Sequence, residues 1–77
     1  MERLGHGAYR DVKIIVNGQS HSIADPQTID GLVQELKLIP ETLLIEHNGK
    51  ALHRGEWQRR AMQDGDKIEL IRVVAGG

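Results

Sequence analysis

The chemically most suggestive residues of the chain are its last two, Gly76 and Gly77, which follow the largely apolar run 68–74. Glycine has no Cβ, so its backbone passes through a narrow channel where any side chain would clash. A terminus of this kind suits a carboxylate that has to reach another protein's active site and be activated there. We therefore expect Gly77 to carry the reactive acyl group and Gly76 to allow its passage. The alternative is an inert end that happens to be glycine.

The remaining residue types indicate no second reactive centre. The sequence has no cysteine, which excludes a thiol nucleophile, a disulfide and a thiolate metal site. Ser20 and Ser22 flank His21 on a predicted strand, so the histidine points to the opposite face and no nucleophile–histidine pair forms. No glycine-rich phosphate loop followed by lysine occurs. The histidines match no zinc spacing, and no bound metal or cofactor is expected: His6, His21, His47 and His53.

Composition narrows the class of protein further. The 77 residues suffice for one small domain, and the formal net charge of −1 comes from mixed acidic and basic residues. The segment 56–60 could form a short basic helix, but Glu56 and the low total charge argue against nucleic acid as a partner. Short apolar stretches and the lack of a signal-peptide core argue against a membrane. We expect a cytoplasmic protein, in agreement with the absence of cysteine.

The first third of the chain has the pattern of a β-hairpin. Apolar residues alternate through 12–16, which predicts a strand. Asn17-Gly18 follows, and both residues tolerate the positive φ angles of a type I′ turn. A second strand is therefore expected over 19–23.

A helix is predicted next. The hydroxyl of Thr28 is suited to cap its first turn, and Pro40 prevents its continuation. Apolar residues at helical spacing form one stripe that would face a sheet: Ile29, Leu32, Val33 and Leu36.

Three further strands complete the pattern, at 43–47, at 51–52 and at 67–73, with a tight turn at Asn48-Gly49. This order predicts an α+β protein of the β-grasp type, a mixed sheet of four to five strands with one helix across one face. The first and last strands would lie parallel at its centre. We expect a flexible arm at 1–11, the domain at 12–72 and a flexible tail at 73–77. The predicted core is Val12, Ile14, Val16, Ile29, Leu32, Val33, Leu36, Ile45, Ile68 and Leu70.

Several segments, in this order, resemble a known family: Asn48-Gly49-Lys50, Trp57, the stretch 64–70 and the ending 73–77. They are similar to the sulfur-carrier branch of the ubiquitin-like proteins, and most of all to the ThiS carriers of thiamine biosynthesis. The resemblance covers about 12–77. The chain departs from it in the extra arm before Val12.

The resemblance implies a carrier that is not itself an enzyme. An E1-like adenylyltransferase (ThiF-like) would use ATP and magnesium to adenylate the carboxylate of Gly77. Sulfur from a persulfide-bearing protein would then replace one oxygen. The resulting thiocarboxylate would donate sulfur to a thiazole synthase (ThiG-like), which makes the thiazole of thiamine.

Other functions remain open for the same tail. The small subunit of molybdopterin synthase (MoaD-like) shares the tail chemistry, but commonly has a proline-containing stretch where this chain has 72–75. A ubiquitin-like protein modifier would use the same tail with ligases and target lysines. An interaction module with an inert tail is a third possibility.

Strand alternation also predicts a docking surface on the sheet face opposite the helix. If Val12, Ile14 and Val16 face the helix, Ile15 faces outward, and the same argument turns Leu44 and Ile71 outward. We expect these three side chains to form one exposed apolar patch, edged by charged residues, and to bind partners together with the tail. The charged residues are Lys13, Glu46 and Glu69, and the tail residues are Val73, Val74 and Ala75. Trp57 is expected to pack beneath the long loop between strands and anchor it.

Overall fold

The parallel pair formed by the first and last strands lies at the centre of the molecule. The computed structural model describes residues 10–25 and 27–73, and predictions about 1–9 and 74–77 lie outside the described residues. Within those ranges one α-helix and five strands occur. They are β1 (Arg10–Val16), β2 (Gln19–Asp25), α1 (Ile29–Glu35), β3 (Leu43–His47), β4 (Lys50–Ala51) and β5 (Lys67–Arg72).

The strands form one mixed sheet in the order β2-β1-β5-β3-β4. β1 and β5 are parallel, with Ile15 level with Lys67 and Val16 level with Ile68. The other neighbouring pairs are antiparallel. The long connection between the two central strands contains α1, which packs its buried side against the sheet. The predicted β-grasp arrangement is confirmed.

Both strands of the first hairpin are longer than the alternation predicted. Arg10 pairs with Asp25, and Asp11 pairs with Ala24, so β1 begins two residues before Val12. These two residues belong to the sheet and not to the arm predicted over 1–11. Main-chain pairing needs no apolar side chain, and the apolar pattern therefore marked only the buried part of each strand.

The helix begins where its cap predicts. The backbone N–H of Gly31 donates to the Thr28 hydroxyl at 3.1 Å. The helix ends before Pro40 is reached, because Leu36 forms its C-cap and Lys37 adopts a left-handed conformation with φ 58°.

The long irregular segment between β4 and β5 is tied to the start of this helix. The Ile29 N–H donates to the Arg60 carbonyl at 2.9 Å, and the Asp30 N–H donates to the Trp57 carbonyl at 3.0 Å. Both donors belong to the first helical turn, which has no partners within the helix itself. The Trp57 ring is 2% exposed. The prediction that Trp57 anchors this segment is confirmed.

Most of the predicted core is buried. Seven of the ten predicted residues are fully buried, and Val16, Leu36 and Leu70 are half-buried against them. The fully buried ones are Val12, Ile14, Ile29, Leu32, Val33, Ile45 and Ile68. Four buried residues were not in the predicted core: Ile23, Leu43, Trp57 and Met62.

Truncation of two leucines on the helix should separate the core from its margin. Leu32 is completely buried, so Leu32→Ala should lower the free energy of unfolding by about 2–5 kcal/mol. Leu36 is half-buried at the end of the helix, and Leu36→Ala should cost clearly less. Urea unfolding followed by circular dichroism measures both. Equal losses for the two variants would contradict the packing described here.

Candidate functional site

The end of β5 carries the segment that leads to the C-terminal glycines. The N–H of Val73 donates to the Thr42 carbonyl at 2.7 Å, so pairing with the β3 side continues one residue past Arg72. Val73, predicted as the first residue of a flexible tail over 73–77, is therefore bonded to the sheet, and residues 74–77 lie outside the described residues. Four residues follow Val73, and an extended chain of that length reaches at most about 14 Å.

Thr42 is itself held in place by a short turn before β3. Residues Pro40–Thr42 form one 3₁₀ turn. The N–H of Thr42 donates to the Ile39 carbonyl at 3.0 Å, and its hydroxyl donates to the same oxygen at 2.7 Å. The carbonyl that accepts from Val73 thus belongs to a turn that two hydrogen bonds close.

Asn17 holds β5 on the opposite side, near the same end. Its side-chain oxygen accepts from the Leu70 N–H at 2.7 Å, and its side-chain NH₂ donates to the Leu70 carbonyl at 3.2 Å. Asn17 and Gly18 adopt positive φ angles of 50° and 83°, as the predicted tight turn requires. The last residues of β5 are consequently held from both neighbouring sides.

Large exposed apolar side chains gather at this end of the sheet. Leu44 and Ile71 lie directly opposite each other on β3 and β5 and are 58% and 43% exposed. The Val73 N–H donates to the Thr42 carbonyl, and the Thr42 N–H donates to the Ile39 carbonyl. We call these residues the apolar collar: Ile39, Leu44, Ile71 and Val73. Within the described ranges they are all of the exposed large apolar residues.

Ile15 does not belong to this group, although the sequence placed it there. It is half-buried and level with Lys67, four residues before Ile71 on β5. At the rise of a strand this separation is about 13 Å. Alternation correctly predicted the face of Ile15. Its position along the sheet depends on the parallel register with β5, which follows from the crossover and cannot be read from the local apolar pattern.

Of the three charged residues predicted beside the patch, two lie near the apolar collar and one lies near Ile15. Glu46 and Glu69 lie directly opposite each other. They are two residues along β3 and β5 from the pair Leu44 and Ile71, and therefore on the same face. Lys13 lies two residues before Ile15, farther from the collar. The predicted partner-binding residues Val74 and Ala75, and the reactive pair Gly76 and Gly77, lie outside the described residues.

Two of the described histidines, His21 and His47, lie beside carboxylates. His47 Nε2 lies 2.7 Å from Asp66 Oδ2, where it donates to the carboxylate and ties β3 to the turn before β5. His21 Nε2 is 3.7 Å from the nearer Glu35 oxygen. In the part of the chain that the structure describes, no three metal-ligating side chains form a group that could hold an ion. No helix in that part is long and apolar enough to cross a membrane.

The carboxylate of Asp66 is the centre of a small polar cluster. It accepts from the Gln63 N–H at 2.8 Å and from the Asn48 side chain at 3.1 Å, besides His47. Burial alone would raise the pKa of Asp66. The hydrogen bonds from His47, Gln63 and Asn48 outweigh that effect, so the pKa lies below its usual value.

Taken together, a mixed sheet with a central parallel pair and a crossover helix on one face defines a ubiquitin-like β-grasp protein. The ThiS family matches residues 12–77, and the chain belongs to that family.

Individual relatives agree with this assignment. The sulfur carrier protein ThiS of Escherichia coli is 32% identical over 66 residues, which are 86% of this chain and all of that protein. The crystal structure of the thiamine biosynthesis protein ThiS from Geobacter metallireducens superposes with a TM-score of 0.75 at 28% identity, covering 86% of this chain and 100% of that one.

A longer relative contains a region of the same kind. A thiazole synthase of Magnetococcus marinus is 32% identical over 66 residues, which are 86% of this chain. This chain spans only 20% of the length of that protein.

Acid should weaken the fold through Asp66. Its pKa is lower in the folded than in the unfolded chain, so its contribution to stability is present above the unfolded value, near 4, and is lost as the pH falls through the folded value. We expect the free energy of unfolding to drop over this acidic range, and Asp66→Asn to remove part of the drop. Urea unfolding between about pH 6 and pH 2.5 checks it. An unchanged pH profile in Asp66→Asn would contradict the assignment.

Proposed function

We propose that this chain is a sulfur carrier whose Gly77 carboxylate is adenylated and then converted to a thiocarboxylate that supplies sulfur for the thiazole of thiamine. The observation that carries the proposal is the ThiS family match, which runs through Gly76 and Gly77. The apolar collar beside the root of the same segment adds support, since it offers a surface where a partner can hold the tail.

The chemistry explains why a carrier needs activation. A carboxylate is a poor electrophile, because neither of its oxygens is a good leaving group. Attack of the Gly77 carboxylate on the α-phosphorus of ATP would release pyrophosphate and give an acyl-adenylate. The terminal sulfur of a persulfide would then attack the carbonyl carbon and expel AMP. Cleavage of the resulting acyl disulfide by a thiol would release the thiocarboxylate.

The residues of this chain fit the role of a cosubstrate. The sequence has no cysteine, so no side-chain thiol of the carrier can attack its own adenylate or capture the sulfur as a mixed disulfide. Glycine at the last two positions leaves room around the reacting carbon. ATP and magnesium would be bound by the activating partner.

We propose two main partners, an E1-like adenylyltransferase (ThiF-like) and a thiazole synthase (ThiG-like), with a persulfide protein as the sulfur donor. The thiazole synthase is supported by the similar region within proteins of that name. Both partners would have to hold the same tail, so both would dock on the apolar collar, and their binding would be mutually exclusive.

Removal of the last residue tests the carrier function directly. The chain without Gly77 should gain no sulfur when incubated with the adenylyltransferase, ATP, magnesium and a persulfide donor. Its thermal unfolding should match that of the full chain, because a terminal residue adds little to stability. Intact mass spectrometry shows the exchange of oxygen for sulfur in the full chain. Gly77→Ala serves as a milder variant and should react more slowly.

Three outcomes would speak against the proposal. Normal sulfur gain without Gly77 would exclude the carboxylate of Gly77 as the reacting group. Attachment of the chain to lysines of other proteins would indicate a protein modifier. Sulfur gain followed by transfer to a molybdopterin precursor, with none to thiazole synthase, would indicate the molybdopterin branch.

A charge placed in the collar tests the docking surface. Ile71→Asp should weaken the complexes with both partners by more than about 1 kcal/mol, because interface energy concentrates in a few central apolar residues. Ser22→Asp is the matched control, since Ser22 is exposed on the edge strand β2. Isothermal titration calorimetry measures each affinity. Equal affinities for the two variants would mean that the tail alone is recognised.

A further inference from the structure

The side chain of Asn17 bonds to β5 at a position where the backbone of β1 no longer runs beside it. The ladder between β1 and β5 ends with Val16 level with Ile68, and the Asn17 N–H gives its last main-chain bond, to the Ile68 carbonyl at 2.9 Å. Asn17 then turns into its left-handed conformation, and the backbone leaves the sheet. Leu70 is the next residue of β5 whose backbone groups point to this side.

Both backbone groups of Leu70 are taken up by the Asn17 amide. The Leu70 N–H donates to the side-chain oxygen at 2.7 Å, and the Leu70 carbonyl accepts from the side-chain NH₂ at 3.2 Å. A primary amide carries the same donor and acceptor as a peptide unit, so the side chain continues the ladder by one step after the backbone has turned away. Only asparagine and glutamine carry a primary amide, and of the two asparagine is the one enriched at positive φ.

We propose that Asn17 is a positioning residue for the carrier reaction: by holding Leu70 it fixes where the chain leaves the sheet on its way to Gly77. This inference rests on the proposed function. The reacting carboxylate has to reach a defined point in a partner's active site, and the rate of such a step depends steeply on alignment. Movement at Leu70 would also change the direction in which Arg72 and Val73, bonded only on the β3 side, lead the chain out of the sheet.

The end of β5 is hydrogen-bonded on both of its edges, and Asn17 provides the bonds on one edge. On the β3 side, Arg72 is paired with Leu43, and the Val73 N–H is bonded to the Thr42 carbonyl. On the β1 side, the hydrogen bonds from the Asn17 side chain to Leu70 are the last ones to β5 among the described residues. With the amide removed, the end of β5 would be held along one edge only and would be free to tilt away from the sheet.

The chain offers a matched control at the other end of the same strand. Asn48 also precedes glycine in a tight turn, with φ 53°, and its side-chain oxygen accepts from the Lys67 N–H at 2.8 Å. It therefore makes the same type of contact at the start of β5, away from the segment that leads to Gly77. A general loss of stability would affect both asparagines, whereas a positioning role belongs to Asn17 alone.

Replacement by glycine removes the amide and keeps the turn, because glycine adopts positive φ without strain. Asn17→Gly should raise the hydrogen-exchange rate of the Leu70 amide by about ten-fold or more, as expected for lost hydrogen bonds. With the adenylyltransferase and ATP, kcat for adenylation should fall by a similar factor. KM should stay within about two-fold, because Leu44 and Ile71 still provide the docking surface. Asn48→Gly should leave the Leu70 exchange rate and kcat near those of the unchanged chain.

A second variant isolates the donor. Asn17→Asp keeps the acceptor and a residue suited to the turn, but places a carboxylate oxygen against the Leu70 carbonyl. It should lower kcat at least as much as Asn17→Gly. Unchanged exchange at Leu70, unchanged kcat in both Asn17 variants, or an equal loss of kcat in Asn48→Gly would each overturn the proposal. If the unchanged chain is not adenylated at all, the proposed function fails and the positioning role fails with it, while the exchange rates still report whether Asn17 holds Leu70.

Discussion

The parallel pairing of β1 with β5 is the constraint on which the rest of the structure depends. Two parallel neighbours cannot be joined by a tight turn, so the chain between them has to cross the sheet, and it does so through α1. The crossover covers one face and buries Leu32 and Val33 there. The same pairing brings the last strand to the middle of the sheet, where a strand on each side supports it. The segment that follows β5 thereby starts from a strand that has a neighbour on each side.

Local chemistry made much of this arrangement predictable. Asn17-Gly18 and Asn48-Gly49 specify their turns because each dipeptide favours positive φ at both positions, and Thr28 specifies the start of α1 through its hydroxyl. The alternation of apolar residues predicted which side chains face outward, and it correctly predicted that Leu44 is exposed.

What the sequence did not predict depends on contacts between distant segments. Ile15 was placed beside Ile71 because alternation fixes the face of a residue but not the register of its strand. Met62 was missed because it lies in an irregular segment, where burial has no period. The amide of Asn17 was predicted only as part of a turn, and its bonds to Leu70 emerge once β5 lies beside it.

The bond between Val73 and Thr42 fixes the point at which the chain leaves the sheet on its way to Gly77. Under the proposed function, in which Gly77 carries the reacting carboxylate, a partner seated on the apolar collar would have its reacting atoms within about 14 Å of that point, because Gly77 is four residues beyond Val73. Two enzymes that acted on the same carboxylate would then share one dimension, the distance from the docking surface to the catalytic centre. An insertion or deletion after Val73 would change that distance for both enzymes at once, so the proposed function would constrain the number of residues after Val73 more tightly than the identity of their side chains.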